Sequence, residues 1–157
     1  MLTIIIALVI CSLDQWTKLL VRSSFALHQS LEVIPGFFNL TYVRNPGAVW
    51  GILKGWSIIL ILISFIAIFL FVSFYRSIVK LNKYYRIALG LMLGGIIGNL
   101  IDRIRLGWVT DFLDFHLAGW HWPAFNIADS AICIGAFLYV ILSFFADKKA
   151  DRLETHN

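Results

Sequence analysis

Apolar residues gather into four long runs, at 2–21, 56–75, 84–101 and 127–145, with polar residues between them. A helix needs about 20 predominantly apolar residues to cross the hydrocarbon core of a bilayer, so each run is predicted to be a membrane-spanning helix. The second carries no charge from Trp56 to Tyr75 and is the least ambiguous. Asp14 and Lys18 interrupt the first, four residues apart and so on one helical face. That first run has no basic leader segment and no convincing small-residue cleavage site, and it continues past Asp14, which favours a retained span over a cleaved signal peptide. In the third, Gly90, Gly94 and Gly98 recur every four residues, a small-residue face that lets another helix approach closely.

Between the first two runs the period changes. Pro35-Gly36 marks a turn, and Phe38, Leu40 and Tyr42 alternate with Asn39, Thr41 and Val43. A two-residue period signals extended chain, so 30–54 is predicted as a small β-like segment resting on the membrane surface, and 102–126 as a loop. The fold class is therefore an all-α membrane protein. It is one integral domain over 1–157, a four-helix bundle with an extracytoplasmic β-rich segment between helices 1 and 2.

Composition agrees with a membrane class. Hydrophobic residues make up 60% and charged residues 14%, with a mean hydropathy of +0.84, whereas soluble domains hold about 45–50% and 25%. The net charge of +4 calls for no nucleic acid. Arg76, Lys80, Lys83 and Arg86 crowd into one short connection, the signature of a cytoplasmic loop. Four crossings then put both termini on that side. All six tryptophans (Trp16, Trp50, Trp56, Trp108, Trp120 and Trp122) fall toward the outer face. Cys11 and Cys133 lie inside predicted spans, and their spacing suggests neither a disulfide framework nor a metal site.

The candidate chemistry lies between Asn99 and Asp129. Ionisable residues within a membrane bundle are functional hypotheses by default. The third span runs outward and ends near Asp102, so Asp111 lies just beyond its outer end. The fourth returns inward, so Asp129 lies in its first turn. Two acids 18 residues apart thus return to one membrane depth. Such a pair can activate one water, the ionised member taking its proton while the protonated member polarises a scissile carbonyl. Like charges close together cannot both ionise, so the pair titrates as a unit. Three rival readings stand beside this one. Asp129 could cap its helix. The run from Asp111 to His116 could ligate a metal, though no second histidine sits at ligand spacing. The acids could also serve a small proton-linked transporter subunit. Asp14 either pairs with a Lys18 that snorkels to the interface or faces the bundle interior beside the other acids.

Five motifs occur in order: Asp14-Gln15-Trp16-Thr17-Lys18, Arg44-Asn45-Pro46-Gly47-Ala48, Gly98-Asn99-Leu100-Ile101-Asp102-Arg103, Val109-Thr110-Asp111-Phe112 and Phe125-Asn126-Ile127-Ala128-Asp129. In these the chain resembles the bacterial lipoprotein signal peptidases, the signal peptidase II family, over nearly its whole length. The resemblance implies an aspartyl endopeptidase of the bacterial cytoplasmic (inner) membrane, with no metal or cofactor. Such an enzyme removes signal peptides from diacylglyceryl-modified prolipoproteins on the amino side of the lipidated cysteine. It implies Asp111 and Asp129 as the catalytic pair. Asn45, Gly47, Asn99, Arg103 and Asn126 would be supporting or substrate-binding residues, with Asp14 and Lys18 as the first-span motif. Asp102 would be a structural charge partner orienting Arg103. The implied partners are prolipoproteins and membrane lipids, and a self-contained site suggests a monomer. The extended chain at 37–43 could form a platform over the site. Val49-Trp50, where a small residue then Phe is usual, and Thr110, where Val is common, depart from the family pattern and bear on substrate fit.

Overall fold

The computed structural model describes residues 1–47, 55–78 and 80–154; Val49 and Trp50 lie outside the described residues. Helices dominate: α1 (Leu2–Ser24), α2 (Ser57–Ser73), the single turn α3 (Tyr75–Ile78), α4 (Lys83–Leu106) and α5 (Ile127–Glu154). Among the described residues, α1, α4 and Ile127–Phe145 of α5 are long and apolar enough to cross a membrane, while α2 is a shorter apolar helix of 17 residues. The chain is therefore a multi-pass membrane protein.

α4 is the central helix and packs against α1, α2 and α5. Its glycines make this possible. A Cβ at Gly94 would stand 2.7 Å from the Ala7 carbonyl oxygen, and one at Gly90 2.9 Å from that of Thr3, so both admit the backbone of α1. Gly98 serves a different end, because a Cβ there would meet the Asp14 carboxylate. The stripe is helix packing at two positions and room for a buried acid at the third. α4 also continues past Asp102, to Gly107, whose φ of +81° forms a left-handed cap. Asp102 marks no helix end, since it is 1% exposed and paired within the bundle.

The sheet forms at the end of the bundle where α1 and α4 finish and α2 and α5 begin. Strands β1 (Ser30–Ile34), β2 (Phe38–Asn45), β3 (Val109–Leu117) and β4 (Trp120–His121) pair antiparallel in that order. The expected β segment between helices 1 and 2 is only half of this sheet, because β3 and β4 come from the stretch read as a loop. Its alternation is hard to see because β3 is covered on both faces, with Val109, Thr110, Asp111 and Phe112 all buried. The all-α class is corrected accordingly, to a mostly helical bundle with a four-stranded sheet among the described residues. Val21 of α1, Tyr42 of β2 and Phe112 of β3 form a small core that fixes the sheet to the bundle.

Candidate active site

β3 separates two environments. Val109 and Asp111 face a cavity of about 800 Å³ also lined by Asn45, Asn99, Arg103 and Asp129. Thr110 and Phe112 point the other way, to Arg22 and to the core beside Val21. A strand alternates its side chains between faces, so one short segment supplies both the cavity acid and its anchorage.

The register of β2 on β3 sets Asn45 opposite Val109, two residues from Asp111. Asn45 Oδ1 accepts the Gly47 N–H at 2.9 Å across the turn at Pro46. Its Nδ2 is thereby turned outward and donates to Asp111 Oδ2 at 2.9 Å. The other oxygen of Asp111 accepts from Asn126 Nδ2 at 2.7 Å.

Asp129 is held by the start of its own helix. The Asn126 N–H donates to Asp129 Oδ2 at 3.2 Å, and the Asp129 N–H donates to Asn126 Oδ1 at 3.0 Å. This is a reciprocal capping box, so the capping reading describes part of what Asp129 does. Its second oxygen is committed elsewhere, accepting from Asn99 Nδ2 at 2.7 Å. Asn126 is thus the hinge between the two acids, its side chain on Asp111 and its main chain on Asp129.

Lys18 fixes the Asn99 amide. Its ammonium donates to Asn99 Oδ1 at 2.8 Å, and a lysine can only donate, so Nδ2 must face Asp129. Lys18 is fully buried, bonded to Asp14 at 2.8 Å and 3.6 Å from Asp102. It does not snorkel. Asp14 is also fully buried, and its Oδ1 accepts the Ala128 N–H at 2.9 Å, so it holds the first turn of α5 rather than lining the cavity. Asp102 does not contact Arg103, contrary to the role the family resemblance implies. It lies 3.5 Å from Arg22 and accepts from Gln15 Nε2 at 3.2 Å and from the Thr110 N–H at 3.0 Å. Successive helical residues point about 100° apart, which sends Asp102 toward α1 and Arg103 into the cavity. There Arg103 donates to the Gly47 carbonyl at 3.3 Å.

Sequence reasoning passed over Gln15 as a ligand of this network, and Arg22 altogether. The signal was present, since 14, 18 and 22 are spaced by four, but the predicted span stopped at Val21. Thr110 is fully buried and absent from the cavity wall, so its hydroxyl bears on anchorage and not on substrate fit.

Burial pushes the Asp111 carboxyl up to about 7, and the neighbouring charge of Asp129 adds to this. The donors Asn45 and Asn126 and the charge of Lys18 pull the other way and lose. An acid so tuned can hold or release a proton near neutrality. Elsewhere, Asp114 turns to His121 at 3.0 Å, and the His121 and His116 rings stack. Among the described residues, no group of three His, Cys, Asp or Glu side chains is placed to hold a metal ion.

Comparison with known proteins follows from this geometry. Residues 6–145 match the family model described as signal peptidase (SPase) II. The lipoprotein signal peptidase of Oleidesulfovibrio alaskensis is 45% identical over 149 residues, 92% of this chain and 94% of its own. That of Desulforapulum autotrophicum is 41% identical over 141 residues, 87% of each chain. A solved bacterial membrane enzyme, determined by the in meso method, superposes with a TM-score of 0.85 at 38% identity over 93% of this chain and 88% of its own. With the family model covering most of its length and relatives this similar end to end, the chain belongs to the signal peptidase II family.

Proposed function

We propose that this protein is an aspartic endopeptidase that removes signal peptides from diacylglyceryl-modified prolipoproteins, with Asp111 and Asp129 as its acid–base pair. The observation that carries the reading is the bridging of the two acids by Asn126 in the wall of one largely apolar cavity. The names of the relatives supply the substrate class.

The chemistry follows from the site. One carboxylate takes a proton from a water held between the pair, and the resulting hydroxide attacks the scissile carbonyl. The protonated carboxyl gives its proton to the carbonyl oxygen. When the tetrahedral intermediate collapses, the C–N bond breaks and the proton taken from water passes to the leaving amine. Asn45, Asn99 and Asn126 orient the acids with neutral donors, so neither carboxylate is locked in an ion pair. Arg103, with a planar fork of donors, lies on the same wall to receive substrate carbonyls.

Four crossings fit this reading, α2 supplying the fourth with α3 following after the single residue Phe74. Arg76, Lys80, Lys83 and Arg86 lie at the end of the bundle away from the sheet. The positive-inside bias assigns that end, with both termini, to the cytoplasm. The sheet and cavity then meet the outer interface of the bacterial inner membrane, where a lipidated cysteine keeps its acyl chains. β2 forms a platform beside the acids, and the site is complete within a monomer.

Purified protein in liposomes tests this with a lipidated prolipoprotein peptide and its unlipidated counterpart. The lipidated peptide is expected to be cut before its modified cysteine, with chelator present or absent. Ion flux without cleavage would favour a proton-linked transporter and overturn the proposal.

A further inference from the structure

Thr110 is tied down through every polar group it owns, and each tie comes from a different element. Its N–H donates to Asp102 Oδ2 of α4 at 3.0 Å. Its carbonyl accepts from Asn126 Nδ2, at the cap of α5, at 3.3 Å. Its hydroxyl accepts from Arg22 Nη1 of α1 at 2.8 Å. The same guanidinium nitrogen lies 3.5 Å from Asp102 Oδ1, so Arg22 and Asp102 close a ring around the residue directly before Asp111. Thr110 is fully buried, while the Arg22 side chain is 19% exposed at the end of its helix.

We propose that Arg22 is a positioning residue for Asp111, acting through the Thr110 hydroxyl. The inference rests on the acid–base role given to Asp111 above. The alternation of β3 turns a grip on the back of the strand into orientation of the acid on its front. Asn126, which holds both the Thr110 carbonyl and Asp111 Oδ1, carries that grip toward Asp129. Valine at 110 would keep the shape and lose the hydroxyl, leaving Arg22 with Asp102 alone. β3 would keep its pairing with β2, and the acid would gain freedom to turn. Arg22 touches neither the cavity nor the pair, so substrate binding should not depend on it.

Steady-state cleavage of a lipidated prolipoprotein peptide by the reconstituted full chain tests this, using Thr110→Val, Thr110→Ser, Arg22→Met and the double variant Arg22→Met/Thr110→Val. Loss of a charge-assisted hydrogen bond that sets catalytic geometry is expected to lower kcat about ten-fold. KM should stay within about two-fold, because binding energy is untouched. Thr110→Ser should restore kcat, and the double variant should be no slower than either single one, since both remove one link. Wild-type kcat in Thr110→Val, no rescue by serine, or multiplying losses in the double variant would each overturn the role. Asp111→Asn in the same assay separates the two claims. If it cleaves at the wild-type rate, the acid–base reading itself has failed. If it is inactive beside a fully active Thr110→Val, only the positioning role is lost.

Discussion

Four aspartates lie within or against this helical bundle, and their neighbours divide them into two kinds. Asp14 and Asp102 sit with Lys18 and Arg22 in a cluster of two acids and two bases, and they hold backbone N–H groups of α5 and β3. Asp111 and Asp129 are held by asparagine amides and a main-chain N–H, and both line the cavity. Burial alone does not separate them, since Asp14, Asp102 and Asp111 are all at or below 2% exposure. The partner does. A cation neutralises an acid and commits it to structure. A neutral donor orients the acid while leaving its proton exchangeable. The two sets meet at Asn99 and Thr110, each bonded to both.

The widest gap between the two kinds should appear in activity. Asp111→Asn or Asp129→Asn is expected to reduce cleavage by about 10³-fold or more, at the strong end for loss of an acid–base group, with the folded protein retained in detergent. Equal loss from unfolding would place these acids with the structural pair. Lys18→Met should act in the opposite sense. It leaves Asp14 and Asp102 without their shared cation, and removing one partner of a buried ion pair costs about 3–5 kcal/mol, read as a large fall in Tm. An unchanged Tm would deny the cluster its structural role.

Asn45→Ala sharpens the contrast from the neutral side. It removes one donor to a carboxylate, a bond of about 1.5–3 kcal/mol, and should slow turnover roughly ten-fold while barely moving Tm. The smallest effect concerns pH and stability. Because the folded form holds the Asp111 proton up to about 7, it binds a proton that the unfolded chain has already released. Its contribution to stability therefore falls as pH rises from the usual carboxylate range to about 7, then levels off. Asparagine cannot ionise, so the Tm of Asp111→Asn relative to wild type should rise by about 3 °C between pH 5 and pH 8. The gain is modest because the new amide must turn an N–H₂ toward Asn45 or Asn126, themselves donors.

Much of the bundle was legible because span length and apolar content are imposed by the bilayer, and β2 because its alternation faces unlike surroundings. β3 escaped notice for the opposite reason, both of its faces being covered. The helix of Asp102 was cut short because a charge was taken as an end, whereas Lys18 and Arg22, far away in sequence, make that charge tolerable inside. Asp111 and Asp129 could be paired from topology alone. Their neutral ligands could not, because Asn45 reaches Asp111 only through a sheet register that no local pattern reveals. Arg22 was lost to a boundary drawn one residue too early.

The most direct test of the central claim is the pH dependence of kcat/KM for cleavage of the lipidated peptide by wild-type enzyme in liposomes. Two carboxyls sharing one proton predict a bell-shaped profile, its alkaline limb falling through a pH of about 7 as the Asp111 proton is lost. A rate that stays level from about pH 5 to pH 9, well beyond the range in which such a pair must titrate, would contradict the account.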